Sequence, residues 1–322
     1  MKQIPLNLMT LYADLVQRQD ANALPAATIS RRLEGGKRRL YASIRDGVTR
    51  RQVYIGTEGD PEVAEKVAAY RRAAESTRDL RKTVTALKAA GVPAPEPATG
   101  RLLETLGKAR LFERGMVLVG TVAFQTYPCL VGAYLSHGAL LTQDADLAAT
   151  RFAVPRLVQS EPLETILKRV DPTFTANWTI GDKWPKKFSS ANGFQIELLT
   201  TRGRTDGPVA IKGLECAAHP LRFMEYLLED SIEVVALYGA GVRVAVPQPA
   251  RYAVHKLMIS QLRPVHSAKR PKDLQQAREI ISALRTREPE LIEEAFEDAR
   301  GRGRAWIKAV EAGLVAMERI PK

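Results

Sequence analysis

Two aspartates separated by one alanine, Asp144 and Asp146, lie in the stretch TQDADLA. In a strand, residues i and i+2 point to one face, about 7 Å apart along the chain, so this spacing presents two carboxylates side by side. Like charges at close range raise a pKa or destabilise a fold unless something offsets them. A divalent cation does so. Magnesium takes hard oxygen ligands and is usually held by one or two carboxylates plus substrate phosphates. Two such ions about 4 Å apart can activate an attacking oxygen and stabilise a leaving pyrophosphate. Asp-x-Asp is also common at polar strand ends and turns, so the motif alone decides little. A calcium loop is a poor match, because DADLAAT lacks the required glycine and the later glutamate.

Two further features give the aspartates company. Upstream, the apolar run MVLVGT reads as a strand that ends in Gly120-Thr121 and runs straight into a helix. A glycine there lets a phosphate approach the backbone, and a helix start offers free N–H groups to an anion. Thr121 adds a hydroxyl. Downstream, Glu197 stands between Ile196 and Leu198 in the strand-like GFQIELL. It is either a solvent-facing acid or a third carboxylate reaching in from an adjacent strand.

Strand-Gly-Thr-helix, then strand-Asp-x-Asp, then strand-Glu resembles the nucleotidyltransferase fold of the DNA polymerase β-like superfamily over about residues 115–200. Members usually carry Asp at the third position, one methylene shorter than Glu197. The interval from Gly120 to Asp144 is also longer than in minimal members, which implies an extended segment around YLSHGALLTQ. Together with PARYAVHKLMISQLR and KRPKDLQQA, the chain looks like bacterial nucleotidyltransferase-fold proteins of mostly unassigned role. The Lys-Leu and Lys-Asp pattern of those helices is similar to toxin-type nucleotidyltransferases of abortive-infection systems.

The resemblance implies roles. Gly120 and Thr121 would hold the nucleotide's phosphates. Asp144 and Asp146 would bind two Mg²⁺ or Mn²⁺ ions. Glu197 would complete one metal site, and could also accept the proton of the attacking hydroxyl. Lys256 either reaches the triphosphate or is an exposed lysine, since it lies opposite Val254 on its helix. Lys272-Asp273 reads as the start and cap of a helix, and His255 as a packing residue.

The elements that must position these groups are legible in outline. Residues 4–20 have helical spacing through Leu8, Leu11, Tyr12 and Leu15. Asp46-Gly47 marks a β-hairpin between basic strands. Asp60-Pro61-Glu62 starts a long helix to about residue 90. GVPAPEPATG, residues 91–100, is a breaker, and a short helix follows it. VAFQTYPCLVGAYL reads as a buried helix that Pro128 kinks or breaks. ALLTQDADLA is a strand, EPLETILKRV a helix and NGFQIELLTT a strand. From Pro249 onward the pattern is helical. The expected architecture is α/β (α+β): an N-terminal helical region with a basic hairpin over 1–98, a mixed-sheet core over 99–248, and a helical domain over 249–322.

Composition sets the remaining bounds. Net charge is +12, and residues 1–110 hold 20 Lys/Arg against 12 Asp/Glu. That asymmetry suits a polyanionic partner or a merely basic surface. Arg38, Arg39, Arg45, Arg50 and Arg51 interleave with Tyr41 and Tyr54 on the hairpin, forming a candidate nucleic-acid surface. GDKWPKKF, residues 181–188, would make either a stacking lip at Trp184 or a solvated loop. No apolar run is long enough to span a membrane, and two distant cysteines suit a reducing cytoplasm. The expected function is transfer of a nucleoside monophosphate from an NTP to a hydroxyl of RNA, protein or a small molecule. The alternatives are a non-catalytic nucleotide- or nucleic-acid-binding module and a toxin held off by an antitoxin or regulatory protein.

Overall fold

A computed structural model of the chain describes residues 1–19, 24–46, 49–136, 144–150, 160–203 and 207–320. At the N-terminus, α1 (Leu6–Gln17) buries Tyr12 and Leu15. The Tyr12 hydroxyl donates to the carbonyl of Val235 at 3.0 Å and accepts from its N–H at 3.1 Å. The expected basic hairpin gains a strand, becoming an antiparallel sheet of β1 (Ala27–Glu34), β2 (Lys37–Asp46) and β3 (Thr49–Thr57) in that order. Gly35 and Gly36 join β1 to β2 with φ of 59° and 75°. A two-residue hairpin turn of this kind needs φ > 0 at both central positions. The expected turn at Gly47 lies outside the described residues.

Helix α2 (Pro61–Ala89) starts as expected, with the Asp60 side chain accepting from the N–H of Glu62 at 2.9 Å. Its early residues Val63 and Val67 pack with Leu40, Ala42 and Ile55 into a small core of their own. Its later residues Leu80, Val84 and Leu87 join Tyr12, Leu15, Val235 and Leu237. The long helix therefore ties the small sheet to the rest of the molecule.

Helix α3 (Pro97–Lys108) begins inside the expected breaker, because proline is well suited to the first turn of a helix. β4 (Met116–Val119) is buried throughout and leads into α4 (Gly120–Phe124). The expected long buried helix ends there, and a separate α5 (Pro128–Val131) follows. Then come β5 (Asp144–Ala149), α6 (Leu163–Lys168), β6 (Thr175–Asn177), β7 (Lys187–Ser189), β8 (Gln195–Thr201), β9 (Val209–Ile211), β10 (Cys216–Leu221), α7 (Met224–Leu228), β11 (Ile232–Ala236) and β12 (Val242–Val246). Residues 137–143, which hold most of the expected extended segment, lie outside the described residues.

The main sheet runs β4-β5-β8-β10-β9, with β7 also on β8 and β6 on β7. It is mixed: β5 and β8 are parallel, as are β8 and β10, while β4 and β5 are antiparallel. β11 and β12 form a separate hairpin.

The four expected C-terminal helices follow: α8 (Pro249–Ser260), α9 (Lys269–Arg287), α10 (Pro289–Gly301) and α11 (Arg304–Glu318). One apolar cluster extends from Leu102 to Met317, so the sheet and these helices share a core. Ten of the twelve residues of α8 are buried. Lys256 is one of them, which overturns the reading of it as an exposed lysine. Gly313 of α11 lets that helix approach closely, since a Cβ there would lie 2.8 Å from the Leu257 carbonyl oxygen. The whole is an α+β arrangement with a mixed sheet, the class expected from the sequence.

His255 is also buried in α8, and its Nε2 has no hydrogen-bond partner among the described residues. Burial first, and then neighbouring Lys256, push its pKa down to about 3. The unfolded chain therefore takes up a proton below pH 6.5 that the folded chain refuses. Stability should fall as pH drops from 6.5 toward 3, at up to about 1.4 kcal/mol per pH unit from this residue. Thermal melts of His255→Leu should show a shallower acid slope than the wild type. Identical slopes would remove His255 as the cause.

Candidate active site

The sheet register sets the carboxylates. Across adjacent strands, Val119 of β4 pairs with Asp146 of β5, Asp146 with Glu197 of β8, and Glu197 with Lys187 of β7. Paired residues on neighbouring strands share a face. Asp146, Glu197 and Lys187 thus form a row across the sheet, with Asp144 two residues along on the same face and paired with Gln195. Leu147, Ile196 and Leu198 occupy the buried face between them. The alternation of acid and apolar residue that marked these stretches is the alternation of a half-buried strand.

Glycine at position 120 has a specific cause. Its φ is +67°, and a Cβ there would lie 2.3 Å from Oδ2 of Asp146. The backbone turn after β4 therefore presses directly on the carboxylate. The turn is braced from the helices. The Tyr252 hydroxyl donates to the Gly120 carbonyl at 2.9 Å and lies 3.0 Å from Oε1 of Gln276. Gln276 in turn donates from Nε2 to the Thr121 hydroxyl at 3.4 Å. Because α4 is only a single turn, its free N–H groups rather than a long helix dipole face any anion at this corner.

Asp146 is held in a strained electrostatic position. Burial raises its pKa most; Lys256 and Lys269 pull it down; Glu197 and Asp144 push it up; the net direction is up. Lys272 sits in the same field, its pKa lowered by burial and by Lys256 and Lys269 against the opposing pull of Asp273 and Asp144. The first turn of α9 thus places Lys269 and Lys272 beside the two aspartates. Lys272 was expected to start a helix and Lys269 was not singled out, because nothing in linear spacing shows that the start of α9 comes near the two aspartates. Asp273 is not a cap. Helix α9 already begins at Lys269 with no side-chain cap at Ala268. Asp273 is buried, accepting from Lys256 Nζ and Arg263 Nε, both at 2.6 Å.

Other expected residues divide. Lys187 pairs with Glu197 at 3.7 Å, and Lys186 with Asp182 at 2.8 Å. In the same loop Trp184 is half-buried, while Trp178 is the exposed indole. Arg38 and Arg39 pair with Glu58 and Glu34. Arg45 stands opposite Arg50, and Arg51 opposite Ile44, on the small sheet.

Among the described residues, no three His, Cys, Asp or Glu side chains are already gathered as a metal cluster. The donor set itself fits a hard divalent cation: carboxylates from two strands on one face, one of them penalised by burial and by like charge. Binding would require Glu197 to exchange Lys187 for the ion.

Replacing Gly120 by alanine tests the corner. Left-handed backbone costs a non-glycine residue about 1–2 kcal/mol, and the added methyl collides with Asp146. Gly120→Ala should therefore lower Tm in thermal melts, and an unchanged Tm would show that the turn does not press on Asp146.

A family model described as Nucleotidyltransferase matches residues 97–301. A crystal structure of an antigenic nucleotidyltransferase-like protein from Paracoccidioides brasiliensis is similar at 14% identity, over 68% of this chain and 95% of that one, with a TM-score of 0.33. No curated protein matches significantly. Among the described residues, no helix is long and apolar enough to cross a membrane.

Proposed function

This chain belongs to the nucleotidyltransferase family, and from that premise we propose that it moves a nucleoside monophosphate from an NTP to an acceptor hydroxyl, with RNA the favoured acceptor. The observation that carries the reading is the register of β4, β5 and β8. It sets Asp146 between the Gly120 corner and Glu197, with Asp144 on the same face.

In this reading Asp144, Asp146 and Glu197 would hold two Mg²⁺ or Mn²⁺ ions. Such ions, when bound, neutralise charge on the phosphates and on the departing pyrophosphate. The protein's own work is positioning. The backbone of the Gly120 turn and the Thr121 hydroxyl receive the phosphates, while Lys256, Lys269 and Lys272 supply positive charge. Glu197 accepts the proton of the acceptor hydroxyl. The acceptor oxygen forms a bond to the α-phosphorus, and the bond from that phosphorus to the bridging oxygen breaks, releasing pyrophosphate. Little covalent chemistry is asked of the protein, so alignment and charge account for the rate.

The same reading places the fold in the DNA polymerase β-like superfamily. Incubation with each α-labelled triphosphate, magnesium and total RNA tests it. Label should pass to RNA with the wild type and not with Asp144→Ala. The Lys187–Glu197 pair favours a second reading, a nucleotide-binding module without turnover. That reading requires triphosphate binding with no transfer to any acceptor. A toxin held off by a partner protein would inhibit growth on overexpression, and Asp146→Ala would relieve the inhibition.

A further inference from the structure

A second concave surface lies at the junction of the small N-terminal sheet and the long helix. It is a groove of about 360 Å³, lined among others by Thr28, Ser43, Arg45 and Arg50 from the sheet and Thr77, Arg78 and Arg81 from α2. Among the described residues, none that lines it is acidic. The arginines nearer the Gly35-Gly36 turn are matched to carboxylates: Arg31 and Arg38 to Glu58, and Arg39 to Glu34. Arg50, Arg78 and Arg81 make no ion pair among the described residues. Arg45 and Arg50 are direct cross-strand partners, and like charges in that relation are destabilising. Arg78 and Arg81, three residues apart, share one face of the helix. Arg50, Arg78 and Arg81, which make no ion pair among the described residues, thus converge from two elements, with Arg45 beside them.

The hydroxyls narrow the ligand. Ser43 is nine-tenths buried, and its Oγ has no hydrogen-bond partner among the described residues. A buried hydroxyl left unpaired costs free energy that a ligand can recover. Arginine only donates, which suits phosphate oxygens; serine and threonine also accept, which suits a ribose 2′-hydroxyl. Beyond the groove, Tyr54 is half-exposed, with its ring 5.4 Å from that of Tyr41. Such a surface can stack an unpaired base.

We infer that the groove between the β1–β3 sheet and α2 binds the sugar-phosphate backbone of RNA, delivering it as the acceptor. The delivery rests on the transferase reading above; the binding does not. Of the five hairpin arginines singled out by sequence, the groove uses Arg45 and Arg50. It adds Arg78 and Arg81, whose helix brings them to the same concavity.

The test is binding of a fluorescent single-stranded RNA oligonucleotide by anisotropy, from 50 to 300 mM salt. The proteins are wild type, Arg78→Ala/Arg81→Ala, Ser43→Ala and Asp146→Asn. Both arginines are exposed on a helix, where alanine is well tolerated. The double variant should keep its Tm and lose affinity roughly tenfold or more at 0.1 M salt, with the salt slope smaller by about 1.4 for two lost phosphate contacts. Ser43→Ala should reduce the preference for RNA over DNA of the same sequence, and Asp146→Asn should bind RNA as the wild type does. Unchanged affinity in the arginine double variant would overturn the inference. So would equal wild-type binding of RNA and DNA, or binding of inorganic polyphosphate without RNA. If RNA binds as described but never receives label, the groove stands and the reading of RNA as the acceptor falls.

Discussion

Asp146→Asn should eliminate detectable transfer and, at the same time, make the metal-free protein more stable at neutral pH. The activity loss follows from removing the carboxylate that stands between Glu197 and the Gly120 corner. Stabilisation of transition-state charge worth several kcal/mol depends on that donor set, so the rate should fall about a thousand-fold or more. The stability gain has the opposite sign because the folded protein holds the Asp146 pKa above its ordinary 3.8, chiefly by burial. A raised carboxylate contributes its full stability only when protonated, below the unfolded pKa, and loses it as pH rises through the folded value. Asparagine removes that neutral-pH cost. Melting curves without divalent metal should therefore show Asp146→Asn above the wild type at pH 7, with the gap closing below about pH 3.8. Added magnesium should raise the wild type alone. A variant that melts lower at pH 7 while remaining folded would contradict this electrostatic account of the site.

Lys256→Met should be among the most destabilising single changes in the chain. Its ammonium is paired with Asp273 at 2.6 Å, and both side chains are buried. Burial raises the pKa of Asp273, but Lys256 and Arg263 together outweigh it, so the net direction is down. Breaking a buried pair costs about 3–5 kcal/mol, because the remaining charge is left without its partner. That is enough to lower Tm by about 10 °C. A depressed carboxylate contributes its stability above the unfolded pKa and loses it as pH falls through the folded one. The difference between wild type and Lys256→Met should accordingly narrow below about pH 3.8. Lys256→Met/Asp273→Leu should recover most of the loss, since Arg263 is one-third exposed and can turn to water. Failure of the double variant to recover would mean that Lys256 acts through packing on Tyr252, whose ring lies 5.3 Å from its Nζ. Tyr252 also braces Gly120, so KM for triphosphate should rise in the single variant.

What sequence revealed and what it hid have physical reasons. The DADLA and FQIELL strands were legible because alternation of acid and apolar residue is the signature of a strand with one face covered. The start of α2 was legible because Asp60, Pro61 and Glu62 each act locally. Gly120 was legible as a turn, but not as the residue whose missing Cβ makes room for Asp146. The short strands β6, β7 and β9 were missed, because three residues cannot display a period. Lys269 and Lys272 were hidden for a different reason. Their importance depends on the start of α9 coming near the two aspartates, and nothing in KRPKD shows which charges it will meet. Lys256 misled because helical spacing assigns one polar face to every helix, whereas α8 is surrounded. The groove arginines split between legible and hidden in the same way: Arg45 and Arg50 lie in an obvious hairpin, while Arg78 and Arg81 read as ordinary solvated helix surface.

The parallel pairing of β5 with β8 joins residues some fifty positions apart, with β6 and β7 between them. Parallel neighbours cannot close through a tight turn, so the acids meet only after that intervening chain has been made and folded. The lysines near them arrive later still, from residue 256 onward. During synthesis, then, a ribosome-bound fragment ending before the C-terminal helices contains all three acids and their strands but lacks the lysines and the Tyr252 hydroxyl that braces Gly120. A product cut short there would carry clustered negative charge without the positive charge that opposes it.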